Sequence, residues 1–114
     1  MNQDRYQRQI TLAGFGIEGQ QKLQKAKVLV VGAGGLGIPV LTYLNAMGVG
    51  TLGVVDADVV SLSNLHRQVL FTEAMVGISK VEAVKSQLSA QNSSTEIRTY
   101  HTFLTVDNAC LLYT

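Results

Sequence analysis

Between two apolar runs the chain places four glycines in six positions, "GAGGLG" from Gly32 to Gly37. No other feature limits the possible folds so strongly. The run before it, "KVLVV" from Lys27 to Val31, is continuous and β-branched, the pattern of a parallel strand covered on both faces. After the glycines, Val40, Leu41, Leu44 and Met47 keep the three-to-four spacing of a buried helix face. Pro39 falls in the first turn of that helix, where its missing N–H removes no intrahelical bond. "GVG" at 48–50 ends the helix, and "TLGVVDAD" predicts a second strand ending at Asp56. Strand, glycine turn, helix and strand form the opening of a Rossmann-like, doubly wound parallel sheet of the α/β class.

The flanking segments agree. "GFGIEGQQKLQKA", Gly14 to Ala26, predicts a short polar helix with Ile17 and Leu23 on its inner side. "ISKVEAVKSQLSAQN" predicts another, with Ile78, Val81, Val84 and Leu88 inward and Asn92 closing its end. "TEIRTYHTF" alternates as a third strand, and "TVDNACLLYT" begins a further helical pattern. Residues 1–26 therefore read as an arm and helix, and residues 27–114 as the first half of a nucleotide-binding domain. At 114 residues the chain is one domain at most.

A net charge of +1 argues against a general electrostatic grip on nucleic acid or a membrane, which needs a basic face. A single cysteine allows no intrachain disulfide and no zinc set, so a reducing, cytoplasmic setting is expected. The start, "MNQDRYQRQ", lacks the apolar core of a signal peptide, and no apolar run approaches the roughly 20 residues of a membrane span.

Gly32, Gly34 and Gly37 satisfy G-x-G-x-x-G, with Gly35 as an extra. In this pattern one glycine permits a tight turn, one lets phosphate oxygens approach the backbone, and one lets helix and strand pack closely. Asp56, ending the second strand, is placed to accept hydrogen bonds from a ribose. NAD, FAD and ATP satisfy this much equally well. The following loop discriminates: Asp58, Ser61, Ser63, Asn64, His66, Arg67 and Gln68 form a polar cluster, and Lys80 opens the next helix. An arginine and a lysine converging on a phosphate chain suit phosphoryl or nucleotidyl transfer, where charge grows on non-bridging oxygens. Hydride transfer has no such need.

"RYQRQITLAGFGIEGQQKL", "VLVVGAGGLG", "GVVDADVVSLSNLHRQVLF" and "VGISKVEAV" resemble, in order, the motifs of the ubiquitin-activating-type adenylyltransferases, nearest to the MoeB, ThiF and HesA group. The resemblance runs from about Arg5 to about Leu104. It implies ATP-dependent adenylation of the C-terminal glycine carboxylate of a small ubiquitin-like sulfur carrier ending in Gly-Gly, with release of pyrophosphate. Gly34 and Gly35 would then line the phosphate turn and Asp56 would hold the ribose. Asn64, Arg67 and Lys80 would contact phosphates. The implied nucleotide contacts also take in Asp58, Ser63, Leu65 and His66. Arg8 corresponds to an arginine that relatives supply across a homodimer interface to the partner's ATP.

Some relatives instead adenylate a small carboxylate, for example on a tRNA nucleoside. An NAD-binding module of an oxidoreductase and a non-catalytic half that pairs with another subunit are the other readings.

His66 and His101 are expected to be structural or exposed, and Cys110 a small buried hydrophobe. Relatives are longer, so the chain reads as a truncated N-terminal part. It is expected to lack the later aspartate that binds Mg2+, the zinc cysteines and the crossover loop. Alone, it is expected to bind ATP poorly and to expose sheet edge and apolar surface that favour self-association.

Overall fold

The computed structural model describes residues 4–12, 14–34, 37–65 and 70–105. The arm carries a single helical turn, α1 (Gln7–Ile10), followed by α2 (Gly16–Lys25). Strand β1 (Lys27–Val31) leads through the glycine turn into α3 (Gly37–Met47), and β2 (Thr51–Val55) follows. Two 3-10 turns, Leu62–Asn64 and Glu73–Met75, lie in the next loop, before α4 (Lys80–Gln91) and β3 (Glu96–Tyr100). The three strands are parallel in the order β1-β2-β3, with Val31 opposite Val55 and Val55 opposite Tyr100. Their carboxyl ends are therefore flush.

The sheet forms because β2 is apolar after Thr51 and sits between two neighbours. Leu52, Val54 and Val55 are buried, and α3 and α4 lay Ile38, Leu41, Val81, Val84 and Leu88 over Leu52 and Val54. Burying such side chains stabilises by roughly 1.5–3 kcal/mol each. Helix α4 starts where Ser79 accepts a hydrogen bond from the Glu82 N–H at 3.4 Å. That is the S-x-x-E signal of a helix start.

Several expected burials are corrected. Val40 and Met47 of α3 are exposed, and its inward stripe is Ile38, Leu41 and Asn45. Ile17 of α2 is exposed, while Gln20 on the same helix is fully buried. Ile78 precedes α4 rather than lying on its inner face, and is exposed. Val31 of β1 is 54% exposed, because it points to the sheet face opposite Val28 and Val30, which pack against the helix-covered core. The expected helical pattern after Leu104, with Cys110, falls mostly outside the described residues. No helix among the described residues is long and apolar enough to cross a membrane.

Candidate nucleotide-binding site

The carboxyl ends of β1, β2 and β3 are tied together by backbone. The Gly32 N–H donates to Val55 O at 2.7 Å, and the Asp56 N–H donates to Tyr100 O at 3.2 Å. Gly32 then turns with a φ of 98°, in the region that favours glycine. Gly37, where α3 begins, lies so close beneath this turn that a Cβ there would stand 1.9 Å from Gly32 O. Only glycine lets the helix start against the strand end.

Asp56 joins the turn to the next loop. Its Oδ2 accepts the Ala33 N–H at 2.7 Å, and its Oδ1 accepts the Asp58 N–H at 2.8 Å. An ionised carboxylate has about four acceptor positions. Two remain, as a ribose hydroxyl pair would require.

Beyond Asp56 the loop doubles back on the start of α4. Val59 and Ser79 form an antiparallel bridge. The Val60 N–H donates to Ile78 O at 2.8 Å, the Gly77 N–H to Val60 O at 2.9 Å, and the Lys80 N–H to Asp58 O at 2.9 Å. This short ladder brings Lys80 next to Asp58. Lys80 is 5% exposed, with its Nζ 3.9 Å from Asp58 Oδ2. A buried amine needs an anionic or polar partner, and a mostly solvated carboxylate at that distance satisfies it weakly. Ser61 Oγ and Ser63 Oγ are 3.1 Å apart on the same loop, and Leu65 packs against the core.

A cavity of about 120 Å³ opens at the strand ends, lined by Val31, Val55, Asp56, Thr102, Phe103 and Leu104 among others. The His101 ring Nε2 lies 2.9 Å from Ala57 O and ties the segment after β3 to the loop after β2. His101 thus holds structure, as expected. Phe103 and Leu104 give the cavity an apolar wall that reading Phe103 as the end of a strand did not suggest.

Of the expected site residues, Gly32, Gly34, Gly37, Asp56, Asp58 and Lys80 are thus grouped by the strand ends and the short ladder, with Ser63 and Leu65 on the intervening loop. Gly35, His66, Arg67 and the side chain of Asn64 lie outside the described residues. Arg8 is placed elsewhere. Its turn, α1, packs at the amino ends of the strands, where Gln9 Nε2 donates to Met47 O at 2.7 Å. The five-residue strands between put Arg8 roughly 16 Å of sheet away from its own glycine turn. Among the described residues no three His, Cys, Asp or Glu side chains converge as a metal ion would need.

The model of the ThiF family matches residues 6–114. The chain is 56% identical over 108 residues to an adenylyltransferase and sulfurtransferase, MOCS3, from Anopheles gambiae, covering 95% of this chain and 24% of that one. It is 52% identical to a sulfur carrier protein adenylyltransferase from Thermus thermophilus, covering 93% of this chain and 39% of that one. Among solved structures, the E. coli tRNA N6-threonylcarbamoyladenosine dehydratase TcdA in complex with ATP superposes with a TM-score of 0.88 at 26% identity, covering 97% of this chain and 45% of the other. The chain spans about a quarter to two fifths of the length of these two curated relatives.

Proposed function

Because the chain belongs to the ThiF family, we propose that it supplies the ATP-binding part of an adenylyltransferase acting on the C-terminal glycine carboxylate of a ubiquitin-like sulfur carrier protein. The observation that carries this reading is the Lys80 amine, buried at the start of α4 and delivered beside the loop that Asp56 pins to the glycine turn. A dinucleotide used for hydride transfer needs no such cation. A carboxylate attacking a phosphate does, because both reactants are anions.

The described residues fit ATP. The glycine turn leaves room for phosphate against the backbone, Asp56 keeps acceptor positions for a ribose, and the apolar wall of Phe103 and Leu104 suits a base. ATP supplies the activated phosphorus and the pyrophosphate leaving group. The chain's own part is positional. Asp56 orients the ribose, the turn at Gly32 and Gly34 receives phosphate, and Lys80 offsets negative charge, with Asn64 and Arg67 assigned to the same task. Mg2+ belongs to the proposal through the family alone. Arg8, exposed and remote from its own turn, would serve the nucleotide of a second copy in a homodimer. The name of the Thermus thermophilus relative, a sulfur carrier protein adenylyltransferase, supports a sulfur carrier as substrate.

The likeness to the E. coli tRNA dehydratase keeps a tRNA-borne carboxylate as the second reading, at half the sequence identity of the two adenylyltransferase relatives. Pyrophosphate exchange into ATP, measured on the full gene product that contains these residues, separates the two. Exchange that requires a carrier ending in Gly-Gly is expected. Exchange driven by a modified tRNA instead would transfer the assignment to that substrate. NADH binding that Arg67→Ala leaves unchanged, with no exchange on any substrate, would return the chain to the oxidoreductase class.

A further inference from the structure

A second polar construction lies at the amino ends of the strands, where chain segments far apart in sequence converge. Gln20 of α2, Asn45 of α3 and Asn92 after α4 are buried to 1% exposure or less. Asn92 Nδ2 donates to Asn45 O at 2.9 Å and to the Tyr6 hydroxyl at 2.8 Å. Asn45 Nδ2 donates to Leu88 O at 3.0 Å and to Gln91 Oε1 at 2.8 Å. Met47 O accepts from Gln20 Nε2 at 3.0 Å and from Gln9 Nε2 at 2.7 Å, and Gln9 also donates to Gln20 Oε1. Arg5 Nη1 donates to Gln91 O at 3.2 Å. Arg5, Tyr6 and Gln9 belong to the arm; the other partners belong to the body.

Four helical residues have no stability of their own in water, so the shape of the arm comes from this pocket. Cohesion alone does not account for the pocket. Asn45 Oδ1 is buried with no hydrogen-bond partner among the described residues, and apolar side chains of similar volume would pack there without that cost. What directional amides add over apolar contacts is a single register. The two inward anchors, Tyr6 and Gln9, flank Arg8, which is exposed and whose guanidinium has no partner among the described residues.

We infer that Tyr6, Gln9, Gln20, Asn45 and Asn92 are positioning residues that seat the arm so that Arg8 stands out from its own body toward the nucleotide site of a second copy of this chain. The inference rests on the adenylation reading above, and names what places the arginine rather than the arginine itself.

Tyr6→Phe and Gln9→Ala, each in the full gene product, test it because each removes one anchor and leaves the core intact. Hydrogen exchange at amides 7–12 should quicken about tenfold, with the amides of β1, β2 and β3 unchanged. Carrier-dependent pyrophosphate exchange should lose about tenfold in turnover, with less than about a twofold change in the KM for ATP. Neither substitution should add to the loss caused by Arg8→Ala, since both act through that side chain. An arm that exchanges no faster, a loosened arm with full turnover, or losses that add in full to Arg8→Ala would each overturn the inference alone. A wild-type protein with no exchange on any carrier would overturn the adenylation reading and this inference with it.

Discussion

At the carboxyl ends of the strands, Ala33 and Asp58 turn backbone N–H groups onto the Asp56 carboxylate, and Lys80 reaches Asp58 through a ladder of peptide groups. At the amino ends, Tyr6, Gln20, Asn45 and Asn92 close the structure with side chains, and α1 contributes a single turn. One end is shaped by main chain, which leaves its side chains available to a ligand. The other spends its side chains on shape. Substitutions among the amides at the amino ends should therefore cost stability first, and those at the carboxyl ends should also cost nucleotide binding.

Gly37→Ala is expected to have the largest effect. The added Cβ would stand 1.9 Å from Gly32 O and 2.9 Å from Gly32 C, both backbone atoms that no rotamer can move aside. Helix and strand end must separate, at a cost of about 3 kcal/mol or more, and the melting temperature should fall by about 10–20 °C. Nucleotide affinity should fall with it. A variant that melts like the wild type would show that the turn tolerates side chains and that its glycines do not shape the site.

Asn92→Ala tests the other end. It removes the donor to Asn45 O and Tyr6 Oη, and the acceptor of the Ser94 N–H at 3.1 Å. Leaving such groups buried costs about 2 kcal/mol in all, visible as a lower urea midpoint. ATP affinity measured well below that midpoint should change little, because the glycine turn lies at the opposite sheet end. Loss of ATP affinity equal to that of Gly37→Ala would mean that the two ends are not separable.

The same contrast decides what the amino-acid sequence discloses. The three strands, the glycine turn and Asp56 are legible because main-chain architecture leaves period and glycine placement behind it. The amide pocket is not. Gln20, Asn45 and Asn92 belong to residue types that a periodicity reading assigns to solvent, so Ile17, Val40 and Met47 are expected inward and stand exposed instead. Hydrophobic spacing locates greasy faces, and here the face that seats the arm is polar. The ladder of 58–60 with 77–80 has no period to detect. The start of α4 was readable in principle, from Ser79 and Glu82 at capping distance in sequence. The apolar wall at Phe103 and Leu104 depends on how the segment after β3 folds over the sheet, which no local pattern encodes.

Asp58→Asn is the mildest test and probes the comparison most finely. Asp58 has two kinds of contact. Its N–H and C=O tie Asp56 to the start of α4, and any residue would supply them. Its carboxylate faces Lys80 Nζ at 3.9 Å with the Asp58 side chain 65% exposed, the long and solvated kind of pair that contributes about 0–1 kcal/mol. The amide variant keeps the first contacts and gives up the second, so the melting temperature should stay within about 3 °C of the wild type. A larger fall would mean that Lys80 depends on that carboxylate to stay buried, and that side chains support the fold at the nucleotide end as well.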